Sequence, residues 1–164
     1  MSKIAPLSPF HPAVIWSCWF WSGLSPRAPG TVGSLAALPV GIAILYFFGA
    51  PTLGLAAIFI FLTGWWSTKV YLEKTGKSDP GEVVIDEVAG MWLALHAADT
   101  GPVLIILAFL LFRLFDIWKP WPIGWLDRNV KGAFGVMIDD VIAGLFAAFS
   151  LAILKWGYYG YIQQ

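Results

Sequence analysis

Sulfur and imidazole chemistry are nearly absent from this chain, which holds one cysteine, Cys18, and two histidines, His11 and His96. A single cysteine excludes an internal disulfide and says nothing of redox compartment. Charge is scarce as well. Only 12% of the residues are charged and the net charge is zero, so there is no broad basic surface of the kind nucleic-acid binding requires. No internal repeat, low-complexity tract or linker interrupts the 164 residues, which suits one domain spanning residues 1–164. A cleavable signal peptide needs a basic start, an apolar stretch and small residues at the cut. Here Lys3 stands alone, and Pro6, Pro9, His11 and Pro12 precede the apolar run, so no cleavage is expected.

What the chain has in excess is apolar surface: 59% of its residues are hydrophobic, including ten Trp and twelve Phe. That excess has to face lipid, and the fold class expected is an all-α integral membrane bundle of about five transmembrane helices. The apolar stretches run from about Thr31 to Phe48, Thr52 to Tyr71, Val83 to Ala98, Pro102 to Trp118 and Val136 to Trp156. Pro39 is expected to kink the first. Each gives roughly 24 to 32 Å of helix, close to a bilayer core about 30 Å thick. The run from Ala13 to Leu24 is too short to span. Trp16, Trp19 and Phe20 at helical spacing suit an interfacial or re-entrant N-terminal helix.

The connections alternate in character. Gly49 to Pro51 and Asp99 to Gly101 are tiny, whereas the others hold Arg27, Lys69, Lys74, Lys77, Arg113, Lys119, Arg128 and Lys131 and nearly all the acids. The positive-inside rule makes the charged side cytoplasmic. Lys155 is the exception, set among Trp156, Tyr158 and Tyr159 as in an aromatic belt.

Three polar clusters fall on that charged side. Ser25 to Ser34, with Arg27, Thr31 and Ser34, leads into a helix whose free N–H groups attract anions. A proline-rich turn with Thr31 as N-cap is the alternative. In the second cluster, Glu82 and Asp86 share a helix face at i, i+4, with Asp79 one turn earlier if the helix begins that soon. Asp86 and Glu87 also lie in an apolar run, where ionised groups are costly unless paired or coordinated. The third cluster holds Arg113 and Asp116, open to reading as an i, i+3 ion pair, then Lys119, Asp127, Arg128, Lys131, Asp139 and Asp140. The pairs Asp86/Glu87 and Asp139/Asp140 can converge at one depth. Oxygen ligands without Cys or His are what Mg²⁺ prefers. The metal set expected is therefore Asp79, Glu82, Asp86, Glu87, Asp139 and Asp140, with Asp86, Glu87, Asp139 and Asp140 catalytic. Phosphate capture falls to Arg27, Thr31, Ser34, Arg113, Lys119 and Lys131. Such a set serves metal-dependent phosphoryl chemistry, or alternatively a small ion or solute transporter. Cys18 is no Cys-x₅-Arg nucleophile, since residue 24 is Leu, and reads as a small buried residue. His96 reads as an interfacial or hydrogen-bonded core histidine.

The segments Ser25–Ser34, Asp79–Gly90, Phe112–Pro120 and Asp127–Asp140 resemble the phosphatidylglycerophosphatase A family, in order and over most of the chain. The resemblance implies a Mg²⁺-dependent lipid phosphatase of the bacterial inner membrane that converts phosphatidylglycerophosphate to phosphatidylglycerol and phosphate. Rival chemistries lack their motifs: there is no Asp-x₂-Asp-Gly-x₂-Ala-Arg, no His in a Pro-Ser-Gly-His setting and no Asp-x-Asp. Attack by a metal-activated water is thereby favoured over a covalent phospho-enzyme. Oligomeric state is not legible.

Overall fold

The computed structural model describes residues 7–162, with side chains to Tyr158. Lys3, Pro6 and the side chain of Tyr159 lie outside the described residues. Among those described, all regular structure is helical: α1 (Pro12–Ser17), a 3₁₀ turn (Ser22–Leu24), α2 (Pro29–Thr75), α3 (Ile85–His96), α4 (Pro102–Trp118), α5 (Ile123–Asn129) and α6 (Gly132–Ile162).

α2 is two helices in series. Gly49, at φ 81° and ψ 170°, is the one residue inside it with non-helical dihedrals, so the break falls there and not at Pro39. Only glycine takes such a backbone cheaply. Contacts along α3 give the direction of each leg. In the first leg, residues 29–48, Gly33 meets Val84 and Gly41 meets Leu95. In the second, residues 50–75, Gly54 meets His96, Gly64 meets Ile85, and Tyr71 bonds to Glu82. The chain therefore runs down one flank of α3 and back up the other.

α3 is the axis of the bundle. It has 12 residues, nine of them buried, where an apolar run of sixteen suggested a longer helix. At about 18 Å it is shorter than a bilayer core. Among the described residues two helices, α2 and α6, are long and apolar enough to cross a membrane by length and composition, against the five transmembrane helices expected. Close approach of α3 to α6 depends on two glycines. A β-carbon on Gly90 would overlap the Asp140 carbonyl oxygen and the Phe112 ring, and one on Gly144 would overlap the Gly90 backbone.

The N-terminal helix is shorter than expected and is not laid outside the bundle. It stops at Ser17, and Trp19, Phe20 and Trp21 then take positive φ. Trp16 Nε1 donates to Thr63 Oγ1 at 3.0 Å, Trp19 Nε1 to the Ala36 carbonyl at 3.3 Å, and Val84 N to the Ser17 carbonyl at 2.8 Å. These tie the segment to both legs of α2 and to the entry of α3. Cys18 is buried, and burial raises its thiol pKa to about 11.

The bundle has two unlike ends. One gathers the start of α2, the loop before α3, the end of α4, α5 and the start of α6. At the other, Lys155 Nζ donates to the Ala97 carbonyl at 3.1 Å and to Asp99 Oδ1 at 2.9 Å. There, too, His96 Nδ1 donates to the Ala50 carbonyl at 2.8 Å, and its side chain is exposed, so the histidine is hydrogen-bonded but does not belong to the core.

Candidate active site

Asp86 and Glu87 stand in the first turn of α3, where acids suit the helix macrodipole. The Asp86 Oδ1 accepts from the Glu87 backbone N–H at 3.0 Å. Asp139 and Asp140 sit about two turns into α6, brought alongside by the Gly90–Gly144 approach. Asp86, Asp139 and Asp140 are only 8%, 6% and 4% exposed. One carboxylate oxygen from each of Asp86, Glu87 and Asp140 falls within 4.8 Å of the others. Glu87 Oε2 and Asp139 Oδ1 are buried without a hydrogen-bond partner. These groups face a cavity of about 170 Å³ whose wall also includes Asp79, Asp116, Lys119, Asp127 and Lys131. Three converging hard oxygens beside unsatisfied ones fit a hard divalent cation, and no nitrogen or sulfur ligand competes.

The cations enter from α4 and the loop beyond it. Lys119, which ends α4 with a left-handed backbone at φ 48°, donates 2.7 Å bonds to Asp127 Oδ1 and Asp139 Oδ2. Burial works against its charge, but these two carboxylates outweigh burial and hold its pKa above that of an ordinary lysine. Arg113 pairs with Asp116 at 2.6 Å and donates to Ser34 Oγ at 3.3 Å, leaving its Nε buried without a partner. Gly30, in the first turn of α2, packs directly on the Glu87 carboxylate with Arg113 alongside. Lys131 is exposed at the cavity rim, its Nζ 3.3 Å from the Asp127 carbonyl oxygen.

Of the expected site residues, the fold brings Asp79, Asp86, Glu87, Asp139, Asp140, Lys119 and Lys131 to one cavity, with Arg113 and Ser34 bonded together behind Glu87. Glu82 stands apart, because α3 begins at Ile85 and Glu82 therefore never shares a helix face with Asp86. Its carboxylate takes the Tyr71 hydroxyl at 2.8 Å and the Lys77 ammonium instead. Arg27 is exposed in the loop before α2 and is absent from the cavity wall. Thr31 is the third residue of α2, whose N-cap is Ala28 with no side-chain bond, so the Thr31 cap is not formed. Asp116 and Asp127 line the cavity as well; the sequence placed both in the third polar cluster but in neither the metal set nor the phosphate-binding set. The i, i+3 spacing of Arg113 and Asp116 had accounted for Asp116 as an ion pair, which it also is.

The phosphatidylglycerophosphatase A family model matches residues 15–155. The chain belongs to that family. A phosphatidylglycerophosphatase A of Escherichia coli is 39% identical over 148 residues, covering 90% of this chain and 84% of that protein. One from Haemophilus influenzae is 37% identical over 161 residues, 95% of each chain. A Bacteroides thetaiotaomicron protein, provisionally described as a phosphatidylinositol-3-phosphatase, is 41% identical over 145 residues, 84% of this chain and 89% of that one. No solved structure matches. The matched stretch takes in every helix that contributes to the cavity.

Proposed function

We propose that this chain is a magnesium-dependent phosphatidylglycerophosphatase, acting in phospholipid synthesis from the cytoplasmic face of a bacterial inner membrane. The observation that carries the reading is the convergence of Asp86, Glu87 and Asp140 within 4.8 Å, in a cavity rimmed by Lys119 and Lys131, on a chain of this family. Membership also decides against the transporter alternative.

Asp86, Glu87 and Asp140 would hold Mg²⁺. When bound, the ion neutralises phosphate oxygens and makes a nearby water a stronger acid. Lys119 and Lys131 sit where a phosphate monoester entering the cavity would meet them. They bind its oxygens by charge-assisted hydrogen bonds and turn the ester oxygen away from the carboxylates. Asp139 Oδ2 is held by Lys119, so Asp139 keeps that ammonium at the cavity wall beside the other carboxylates. Arg113 keeps Asp116 and Ser34 in place behind Glu87.

The bilayer reading is supported by where the apolar surface lies. Phe47, Phe59, Ile106 and Phe149 are 72%, 59%, 57% and 69% exposed and come from both legs of α2, from α4 and from α6. A soluble monomer does not present such faces on every side. Five crossings are retained if α3 is a short central one, shielded from lipid by the four outer legs.

Phosphate release by the purified protein tests the proposal. Phosphatidylglycerophosphate should be hydrolysed with Mg²⁺ and spared with a chelator, while phosphatidic acid and phosphatidylinositol 3-phosphate are turned over far more slowly. Absence of release from the first lipid would sink the reading, and preference for the inositol lipid would reassign the substrate.

A further inference from the structure

Three tryptophans crowd the corner where α4 gives way to α5: Trp118, Trp121 and Trp125 are 71%, 79% and 50% exposed. Single exposed rings are ordinary, but neighbouring ones form a patch that marks an interaction surface. The indole N–H groups of Trp16, Trp19, Trp21 and Trp92 each donate to a protein acceptor, whereas those of the three corner tryptophans have none among the described residues. α5 itself is two-faced. Inward, Ile123 and Gly124 are buried, a β-carbon on Gly124 would lie 2.6 Å from the Lys119 carbonyl oxygen, and Asp127 Oδ1 accepts from Lys119 Nζ at 2.7 Å. Outward, Trp121, Trp125, Arg128 and Asn129 recur at helical spacing and are exposed, and Arg128 forms no ion pair among the described residues. The stripe that α4 turns outward, Ile106, Leu110, Leu114 and Ile117, runs into Trp118 and so meets this patch without a step. On another flank Trp65 packs on Phe134, in the first turn of α6, at 5.6 Å, and Trp66 beside it is exposed. Tryptophan therefore marks this level of the bundle on two sides.

We propose that the outward face of α5, together with Trp118, is seated in the headgroup layer of a lipid bilayer, an inference that rests on the bilayer reading above. Indole suits that layer because its ring is apolar and its N–H needs an acceptor, which a headgroup supplies. A short helix with tryptophan and arginine on one face lies along such a surface, and Arg128 there meets a headgroup phosphate. Continuity with the apolar stripe of α4 makes the occupant lipid, since a protein partner would have to begin where the lipid-facing stripe stops. The seating bears on the carboxylate cavity, whose wall includes Asp127 from α5 and Val130 at its end. It brings that cavity to the depth of lipid phosphates, so a phosphate monoester on a lipid reaches Lys119 without leaving the bilayer surface.

Nitroxide depth in lipid nanodiscs tests the seating. Cys18 is buried, so an introduced thiol takes the label. Its collisions with oxygen, which concentrates in hydrocarbon, are compared with its collisions with a water-soluble nickel chelate. Ile106→Cys, on the outward stripe of α4, should report hydrocarbon. Lys74→Cys, about 12 Å beyond Trp66 along the second leg of α2, should report water. Trp125→Cys is expected between the two on both quenchers, with nickel access several-fold below that at position 74 and oxygen access below that at position 106. Asn129→Cys, on the same face, should read the same way and covers the case in which loss of Trp125 disturbs α5. Nickel access at 125 and 129 equal to that at 74 would overturn the proposal, and so would oxygen access equal to that at 106. A label shielded from both quenchers would mark a protein contact and overturn it too. If position 106 is as wet as position 74, the bilayer reading itself fails and takes the seating with it.

Discussion

Asp140 is nearly buried, shares a 4.8 Å neighbourhood with Asp86 and Glu87, and has Asp116 beside it. Like charges at such spacing repel strongly away from water. Replacing one with an amide should therefore separate function from folding. Asp140→Asn or Asp86→Asn is expected to abolish phosphate release while thermal unfolding in detergent without divalent cation occurs no earlier than in wild type. Added Mg²⁺ should stabilise wild type more than either variant. Glu82 is expected to behave otherwise, since Glu82→Gln keeps the Tyr71 contact and should retain turnover. Burial opposes Glu82 ionisation, yet hydrogen bonds from Lys77 and Tyr71 outweigh it and hold the carboxyl below the ordinary range. A depressed folded pKa means stability that is complete above the unfolded value and lost as pH falls through the folded one. The stability advantage of wild type over Glu82→Gln should then be constant down to about pH 5 and shrink below about pH 4, as read by unfolding temperature. The two acid pairs were legible in the sequence because ionisable groups inside apolar runs stand out. Glu82 was misplaced for a local reason: i, i+4 logic needs a helix that already exists at residue 82, and α3 starts three residues later.

Helix boundaries and helix contacts decide whether those residues meet. Apolar run length indicated the positions of both legs of α2, of α4 and of α6, and Gly49 within a short turn marked the break in α2. Run length overstated α3, since a residue may be apolar because it is buried beside a helix and not because it is in one. Val83 and Val84 are 3% and 0% exposed yet lie in the loop. α5 went unseen, being seven residues with little periodicity, although it delivers Asp127 to Lys119. The Gly90–Gly144 approach was legible only as two glycines in apolar helices. Its consequence can be tested at this scale. Gly144→Val must push α6 off the Gly90 backbone, which parts Asp140 from Asp86 and overpacks the interface at a cost of about 1–3 kcal/mol. Lower unfolding temperature together with lost Mg²⁺-dependent activity is expected. Gly157→Ala, on the same helix with nothing within 4 Å of the added methyl, should change neither.

Across the whole molecule, the helices sort chemistry by end. Every residue of the carboxylate cavity lies at the end where α3 and α6 begin and α4 finishes, and the opposite end holds the Gly49 break, His96, Asp99 and Lys155. An enzyme that draws its substrate from lipid and releases phosphate to water needs its polar cavity at an aqueous end of the bundle, and here the cavity residues gather at one end. The charged connections had shown the same division in the sequence, but how the cavity is built depended on contacts between segments up to 79 residues apart, as Ser34 and Arg113 are. Sidedness is then open to direct measurement, and Cys18 makes the measurement clean. Its thiol is fully buried, with its pKa raised to about 11, so it should stay unlabelled in the intact protein. Lys74→Cys, Arg128→Cys and Thr100→Cys each place a thiol on an exposed residue, the first two at the charged end and the last at the other. In intact cells an impermeant maleimide should label position 100 and spare 74 and 128, and inverted vesicles should reverse the pattern. Labelling of 74 and 100 from the same side would mean that the two ends of the bundle do not face opposite compartments. The carboxylate cavity would then lose its orientation, and the membrane-spanning arrangement would fall with it.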